Sequence, residues 1–344
     1  MKIKNIDKPP KHITTIGGQA LIEGILMRGP RDVAIAVRKK DNEIELKKVK
    51  LNTLAMRYKV FKLPLIRGVV GLVESLAFGL KALMYSAEFF DIEEDKEDKP
   101  GLFYKLLEKI YKDRAKEKYE KINNKIDSGL DKIFKDKRQD VEIAVTLIIS
   151  LLLSIGLFMF LPTLITSLFK NIIHEPIILN LVEGLIRIAI FLIYVVFASK
   201  VDEVGRVFEY HGAEHKTIHC YEYGDELTVE NVKKYPILHP RCGTSFLFMV
   251  MIVSILVLSF FGWPDPVKRL LIRLVMLPAI AGISYEINRI IGKSSSPLAY
   301  IISYPGLFIQ KIATVKEPDD SQIEVAIKAL EAVLTGNKEE DAWK

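Results

Sequence analysis

Two stretches of this chain run uncharged for longer than a bilayer is thick. Residues 143–169 and 244–263 contain no Asp, Glu, Lys or Arg, and about 20 apolar helical residues cross roughly 30 Å of hydrocarbon. Soluble cores rarely hold such runs. Residues 177–198, with Glu183 and Arg187, and residues 270–291, with Arg273, Glu286 and Arg289, have the same length and apolar character. Short connections at residues 170–176 and 262–268 join the four into two helical hairpins. The chain is 49% hydrophobic yet 27% charged, which fits one molecule divided into apolar spans and very polar connections. The expected fold class is mainly α. It is a polytopic helical membrane protein with about four transmembrane helices and a small β-rich N-terminal cytoplasmic unit.

Lysine and arginine placement gives the orientation. Residues 99–140 carry thirteen of them, residues 199–243 six, and the tail after Gly292 six more. The opposite connections offer Lys170, Lys268 and Arg269. The polar segments and both termini are therefore expected in the cytoplasm of a multi-pass protein of the plasma membrane. Two cysteines, Cys220 and Cys242, are too few for a disulfide framework and suit a reducing compartment. Met1 to His12 has no apolar core behind it, so no cleaved signal peptide is read there.

The boundaries follow from these shifts in composition. Residues 1–63 form the β-rich unit, with strands at 32–37 and 43–49 joined by a turn at 39–42. Gly17-Gly18-Gln19 reads as a tight turn opening a strand. Residues 64–90 are apolar, but Arg67, Glu74 and Lys81 recur every seven residues, so an amphipathic or re-entrant helix is expected. Residues 91–140 form a charged helical arm, residues 141–200 the first hairpin, 201–243 a His-rich cytoplasmic segment and 244–292 the second hairpin. The tail, 293–344, holds an amphipathic helix with Ile323, Ala326, Ile327, Leu330 and Leu334 on one face. Acids interspersed through the arm argue for a solvated helix, which could meet a soluble partner, and against nucleic-acid binding. Membrane lipid and further copies of the chain are the other expected partners.

Four of the six histidines fall in two short pieces, Glu209 to Cys220 and His239-Pro-Arg-Cys242. His211 and His215 are four apart, so on a helix they point the same way and can share one ion. Glu214 between them completes the order H-x-x-E-H, in which the histidines hold a metal and the glutamate handles the proton of its bound water. The cofactor expected is a divalent metal, zinc foremost. His219 lies about 12 Å along the helix from His211 and cannot share that ion. His239, Cys242 and Glu286 are the alternatives for a third ligand. Against these stands the plainer possibility that histidines at a membrane interface only hydrogen-bond their neighbours. Within the second span, Glu183 and Arg187 are four apart and read either as a mutual ion pair or as a polar path.

Longer matches extend from Gly17-Gly-Gln-Ala-Leu-Ile-Glu-Gly-Ile-Leu-Met-Arg-Gly-Pro30, through Tyr210-His-Gly-Ala-Glu-His-Lys216, His239-Pro-Arg-Cys-Gly-Thr-Ser245 and Ser284-Tyr-Glu-Ile-Asn-Arg289, to Glu317-Pro-Asp-Asp-Ser-Gln-Ile-Glu-Val-Ala326. With these the chain resembles the YqhQ family, bacterial integral membrane proteins of unknown function catalogued as predicted metal-dependent enzymes. The resemblance implies a single site drawn from Glu23, Arg28, His211, Glu214, His215, His239, Arg241, Cys242 and Glu286. It names no reaction. The most concrete expectation is metal-assisted hydrolysis with Glu214 as base and His211 and His215 as ligands. The alternatives are a transporter or ion-handling protein using Glu183, Arg187 and Glu286, and a non-catalytic scaffold.

Overall fold

A computed structural model describes residues 10–90, 116, 138–294 and 296–343. The expected charged arm at 91–140 lies almost wholly outside them. Contacts divide the chain into two units, residues 1–90 with 162–344, and residues 91–161. In the second unit the described part is the helix α2, Arg138–Ile155, followed by a π turn at Gly156–Phe160. Leu151, Leu152 and Leu153 are exposed on it, each above 60%.

The first unit begins with a four-stranded antiparallel meander. Its strands are β1 (Gly17–Leu21), β2 (Gly24–Arg28), β3 (Asp32–Arg38) and β4 (Ile44–Lys50), in that spatial order. Register pairs Ala20 with Ile25, Met27 with Ala34 and Ala36 with Leu46. Successive side chains alternate faces, and here both faces of β2 and β3 are covered. Ile25, Met27, Ala34 and Ala36 face one core and Leu26, Val33, Ile35 and Val37 the other, so these central strands read as continuous apolar runs. The outer strand β4 is guarded by Lys47, Lys48 and Lys50, as exposed edges require. Gly17 and Gly18 do not make the expected turn. They lie inside β1 with no positive φ, and Gly18 is needed because a Cβ there would sit 2.5 Å from Leu26 O.

Two polar helices cover the first face. Helix α4, Asp202–Tyr223, starts with Asp202 and Glu203, which favour a helix N-terminus, and stops at Gly224 in the left-handed conformation. Helix α8, Asp320–Val333, opens with an Asp319–Gln322 capping box and buries Ile323, Ala326, Ile327 and Leu330 against the sheet and α4. The partner surface this amphipathic helix needed is thus the chain's own sheet. The opposite face meets the end of α1, Ile66–Ala87, through Ala82, Tyr85 and Phe89.

Among the described residues, four helices are long and apolar enough to cross a membrane: α1, the α2 continuation Val145–Ser167, α3 (Pro176–Ala198) and α6 (Pro266–Lys293). The chain is a polytopic helical membrane protein with a small sheet at its N-terminal end. Helix α5, Gly243–Ser259, is apolar but shorter than the expected span at 244–263. Small residues set the crossings, as apolar solvent favours: Gly184 lies against Ile255, Gly68 against Tyr285 and Gly306 against Ser245. Helix α1 meets α6 where Arg67 bonds Glu286 and Gly282 lies against Leu65, then leaves for the sheet, with Gln19 bonding Ser75 O. Its second half therefore lies beside the strands rather than along α6. Helix α7, Pro297–Ile309, was not expected in the polar tail. It is too short to span and packs on α5 and α6.

At the beginning of α6 a single buried carboxylate gathers three guanidinia. Glu183 accepts from Arg187 at 2.7 Å and from Thr163 at 3.0 Å, and is paired with Arg269 and Arg273. The expected Glu183–Arg187 pair is one edge of this larger cluster. Arg269 also stacks on Trp263, its Cζ 3.3 Å from the ring centroid.

Candidate metal centre

The histidines sit on the face of α4 turned toward the loop before α5. Lys316 fastens that helix from behind: its N–H donates to Phe208 O at 2.9 Å, and a Cβ on Gly212 would meet Lys316 O at 2.0 Å. Cys242 is the N-cap of α5, which puts its sulfur at the helix start. The segment after α7 supplies Gln310, fully buried, which accepts from His239 N at 2.9 Å and donates to His239 O at 2.9 Å. This pair of bonds fixes the loop carrying His239, Arg241 and Cys242.

Two groups of ligand-type atoms result. In the first, one nitrogen each of His211 and His215 and Cys242 Sγ lie within 4.8 Å of one another. His211 Nε2 is 3.0 Å from Cys242 Sγ, while its Nδ1 contacts Thr314 O at 2.8 Å. His215 Nδ1 contacts Ile237 O at 2.6 Å, and its buried Nε2 has no hydrogen-bond partner. Histidines that bind metals through one nitrogen commonly donate the other to a carbonyl, and an orphaned buried nitrogen is otherwise costly. In the second group, His219, Glu222 and His239 lie equally close. There, however, Arg241 Nη2 donates to both Glu222 oxygens at 2.5 and 2.6 Å, and Thr14 N donates to Oε1. The two groups abut, with the His215 and His239 rings 5.4 Å apart.

The charge states differ accordingly. Burial opposes ionisation of Cys242, but His211 and His215 overcome it and hold the thiol well below its usual range. Burial likewise works against charge on His211, and Cys242 reverses this, raising the imidazole to about 9. His215 falls to about 4 through burial and the nearby His211. Burial lowers His219 and His239 as well. These shifts favour the thiolate of Cys242 and the neutral form of His215, the forms that bind metal, and favour on His211 the proton that a cation would replace.

Glu214 is buried beside these ligands. Burial raises its carboxyl, and Oε1 accepts from Gly18 N at 2.8 Å, which ties it to β1. Four other expected members stand apart from the cluster. Glu286 pairs with Arg67 and accepts from Leu65 N, so the docking of α1 removes it as a ligand. Glu23, in the β1–β2 turn with φ 49°, pairs with Arg206 and Tyr210. Glu183 and Arg187 belong to the arginine cluster. Glu222 was missed, although its position three after His219 on one helix was a usable signal. The carbonyls of Ile237 and Thr314 leave no trace in a sequence.

A cavity of about 740 Å³ opens on this centre. Cys242 and Arg241 line one side and Gly18 and Gln19 another, and Arg28 of β2, Trp343 and residues of α1, α5 and α6 also line it.

A membrane protein with a buried polar helix packed on a small sheet, and a His–His–Cys cluster beside its cavity, is the class these features define. Residues 63–336 match the family described as a protein of unknown function (DUF1385), and the chain belongs to that family. It is 31% identical over 319 residues to the uncharacterized protein YqhQ of Bacillus subtilis (strain 168), across 92% of each chain. No solved structure matches it.

Proposed function

We propose that this protein is a metal-dependent hydrolase working at the cytoplasmic face of the cytoplasmic membrane. The carrying observation is the convergence of His211 Nε2, His215 Nε2 and Cys242 Sγ, with both Nδ1 atoms tied to carbonyls and His215 Nε2 unpartnered. Three protein ligands leave a tetrahedral ion one open position, as catalytic zinc sites do. Cys242 lines the cavity, so that position would be reached from it. The ion would bring a bound water toward neutrality in pKa and polarise the bond to be cleaved. Glu214 stands next to the ligands with one oxygen held by Gly18 N–H and the other free of hydrogen bonds among the described residues. That arrangement suits a general base that must move a proton without moving itself. The burial of Arg269 on Glu183 supports the cytoplasmic orientation, because it leaves Lys170 and Lys268 as the basic residues of the opposite connections.

Elemental analysis of purified protein should find one divalent ion per chain. His211→Ala, His215→Ala and Cys242→Ala should each lose it. Glu214→Gln can still accept from Gly18 N–H, so it should keep the ion and yet fail to complement a deletion strain. Wild-type protein without stoichiometric metal would remove the reading, and full complementation by Glu214→Gln would reduce the ion to a structural role.

A further inference from the structure

We propose that the cavity beside Cys242 binds a membrane lipid with an anionic headgroup, and that such a lipid is the class of substrate the site takes. The inference rests on the hydrolase reading for the word substrate, but not for binding. Its first support is charge. Arg28, Arg241 and Arg289 line the cavity, and among the described residues no Asp or Glu does. Arg241 is already compensated by Glu222. Arg28, at the end of β2, makes no ion pair among the described residues, and Arg289, near Glu286 in the last turns of α6, brings a further guanidinium to the lining. Gly243, the first residue of α5, also lines the cavity, so the positive end of a 17-residue helix faces the same space.

The second support is the opposite wall. Leu72 and Leu76 from α1 and Phe246 and Leu247 from α5 form it. Leu76 is 65% exposed and Leu247 43%, so the apolar lining continues without a break onto the outer surface of two apolar helices. A cavity enclosed by protein would serve a soluble anion. One whose greasy wall runs out to the lipid-facing surface admits a molecule that keeps its tail in the membrane. Polar groups between the walls, Gln19, Ser75 and Asn288, suit the glycerol or sugar portion that joins headgroup to chain. The headgroup would then lie at the arginines, within reach of the open position at Cys242.

Native mass spectrometry of the full chain in detergent tests this, with dioleoylphosphatidylglycerol, dioleoylphosphatidylcholine and inorganic phosphate as probes. One phosphatidylglycerol should remain bound per chain, at least tenfold more strongly than phosphatidylcholine, and millimolar phosphate should not displace it. Arg28→Gln with Arg289→Gln should weaken retention at least tenfold. Gly71→Phe is the second variant: Gly71 lines the cavity and its Cβ position has nothing within 4 Å, so the ring fills the lumen without displacing backbone. It should also lose the lipid while melting like wild type. Equal retention of phosphatidylcholine, or unchanged retention in both variants, would overturn the proposal. Full displacement by phosphate would show a free-anion site instead. His215→Ala should lose metal but keep the lipid, so the failure of either reading is seen without the other.

Discussion

Removing the Glu183 carboxylate should destabilise the bundle severely, and removing one arginine as well should not repair it. Glu183 is 1% exposed and faces Arg187, Arg269 and Arg273, the last two also buried. Among the described residues the cluster sets one carboxylate among three guanidinia. Glu183→Gln removes the carboxylate that the three share and leaves them close together in a buried setting. Breaking a buried pair costs about 3–5 kcal/mol, and two neighbouring unit charges near 4 Å at an effective dielectric of 20 contribute about 4 kcal/mol. At a few degrees per kcal/mol, the melting temperature should fall by roughly 10 °C. A simple Glu183–Arg187 pair predicts that Glu183→Gln with Arg187→Met recovers most of this. The observed cluster predicts little recovery, because Arg269 and Arg273 remain. Arg187→Met alone should be mild, since Glu183 keeps two cations and the Arg187 side chain is the most exposed of the three arginines, at 14%. Thermal melts in detergent, followed by tryptophan fluorescence or by loss of monodisperse protein, read all three variants. A wild-type melt for Glu183→Gln, or full recovery in the double variant, would refute the reasoning.

Two further outcomes follow from the centre and its supports. Gly212→Ala places a methyl 2.0 Å from Lys316 O and should cost about 1–3 kcal/mol or more, whereas Gly71→Ala meets open space and should be neutral or slightly stabilising in the same melts. Metal uptake should release about one proton per ion below pH 9, because metal-free His211 holds its proton up to about 9, and acid should weaken binding; calorimetry in two buffers of different ionisation enthalpy measures it, and zero release would contradict the shared His211–Cys242 proton.

What could be read from sequence follows a physical division. Charge-free length, the short apolar run at Asp32–Arg38 and the apolar face of Asp320–Val333 are properties of local segments, and each led to an element that forms. The H-x-x-E-H spacing brought His211 and His215 together for the same reason, since helix geometry fixes residues four apart. Beyond one helix the sequence was ambiguous. His239 and Cys242 lie three apart on a loop, and which of them meets His211 depends on Gln310, 71 residues beyond His239, bonding both main-chain groups of His239. Glu286 seemed to lie level with the histidines, but level along the membrane normal says nothing about rotation, and Arg67 of α1 takes it. Helix α7 was hidden because thirteen residues with an internal Pro305 match no span.

The surroundings of the two ligand-type groups favour an ion at one of them over the other. A dication among His219, Glu222 and His239 would sit beside the Arg241 guanidinium and compete for the same two carboxylate oxygens. Like charges at that distance in a buried setting repel by several kcal/mol. At His211, His215 and Cys242 a cation would instead meet a lowered thiol and replace a proton rather than oppose an arginine. The Arg241–Glu222 pair then has a different consequence. It ties the loop between His239 and Cys242 to the last turn of α4, and Thr14 N extends the tie to the chain leading into β1. The ligand from the loop and the ligands from the helix are thereby held in one frame, while the guanidinium that does the holding also lines the cavity. The metal-type site, its bracing and the charge that would greet an anionic ligand thus meet at the start of α5.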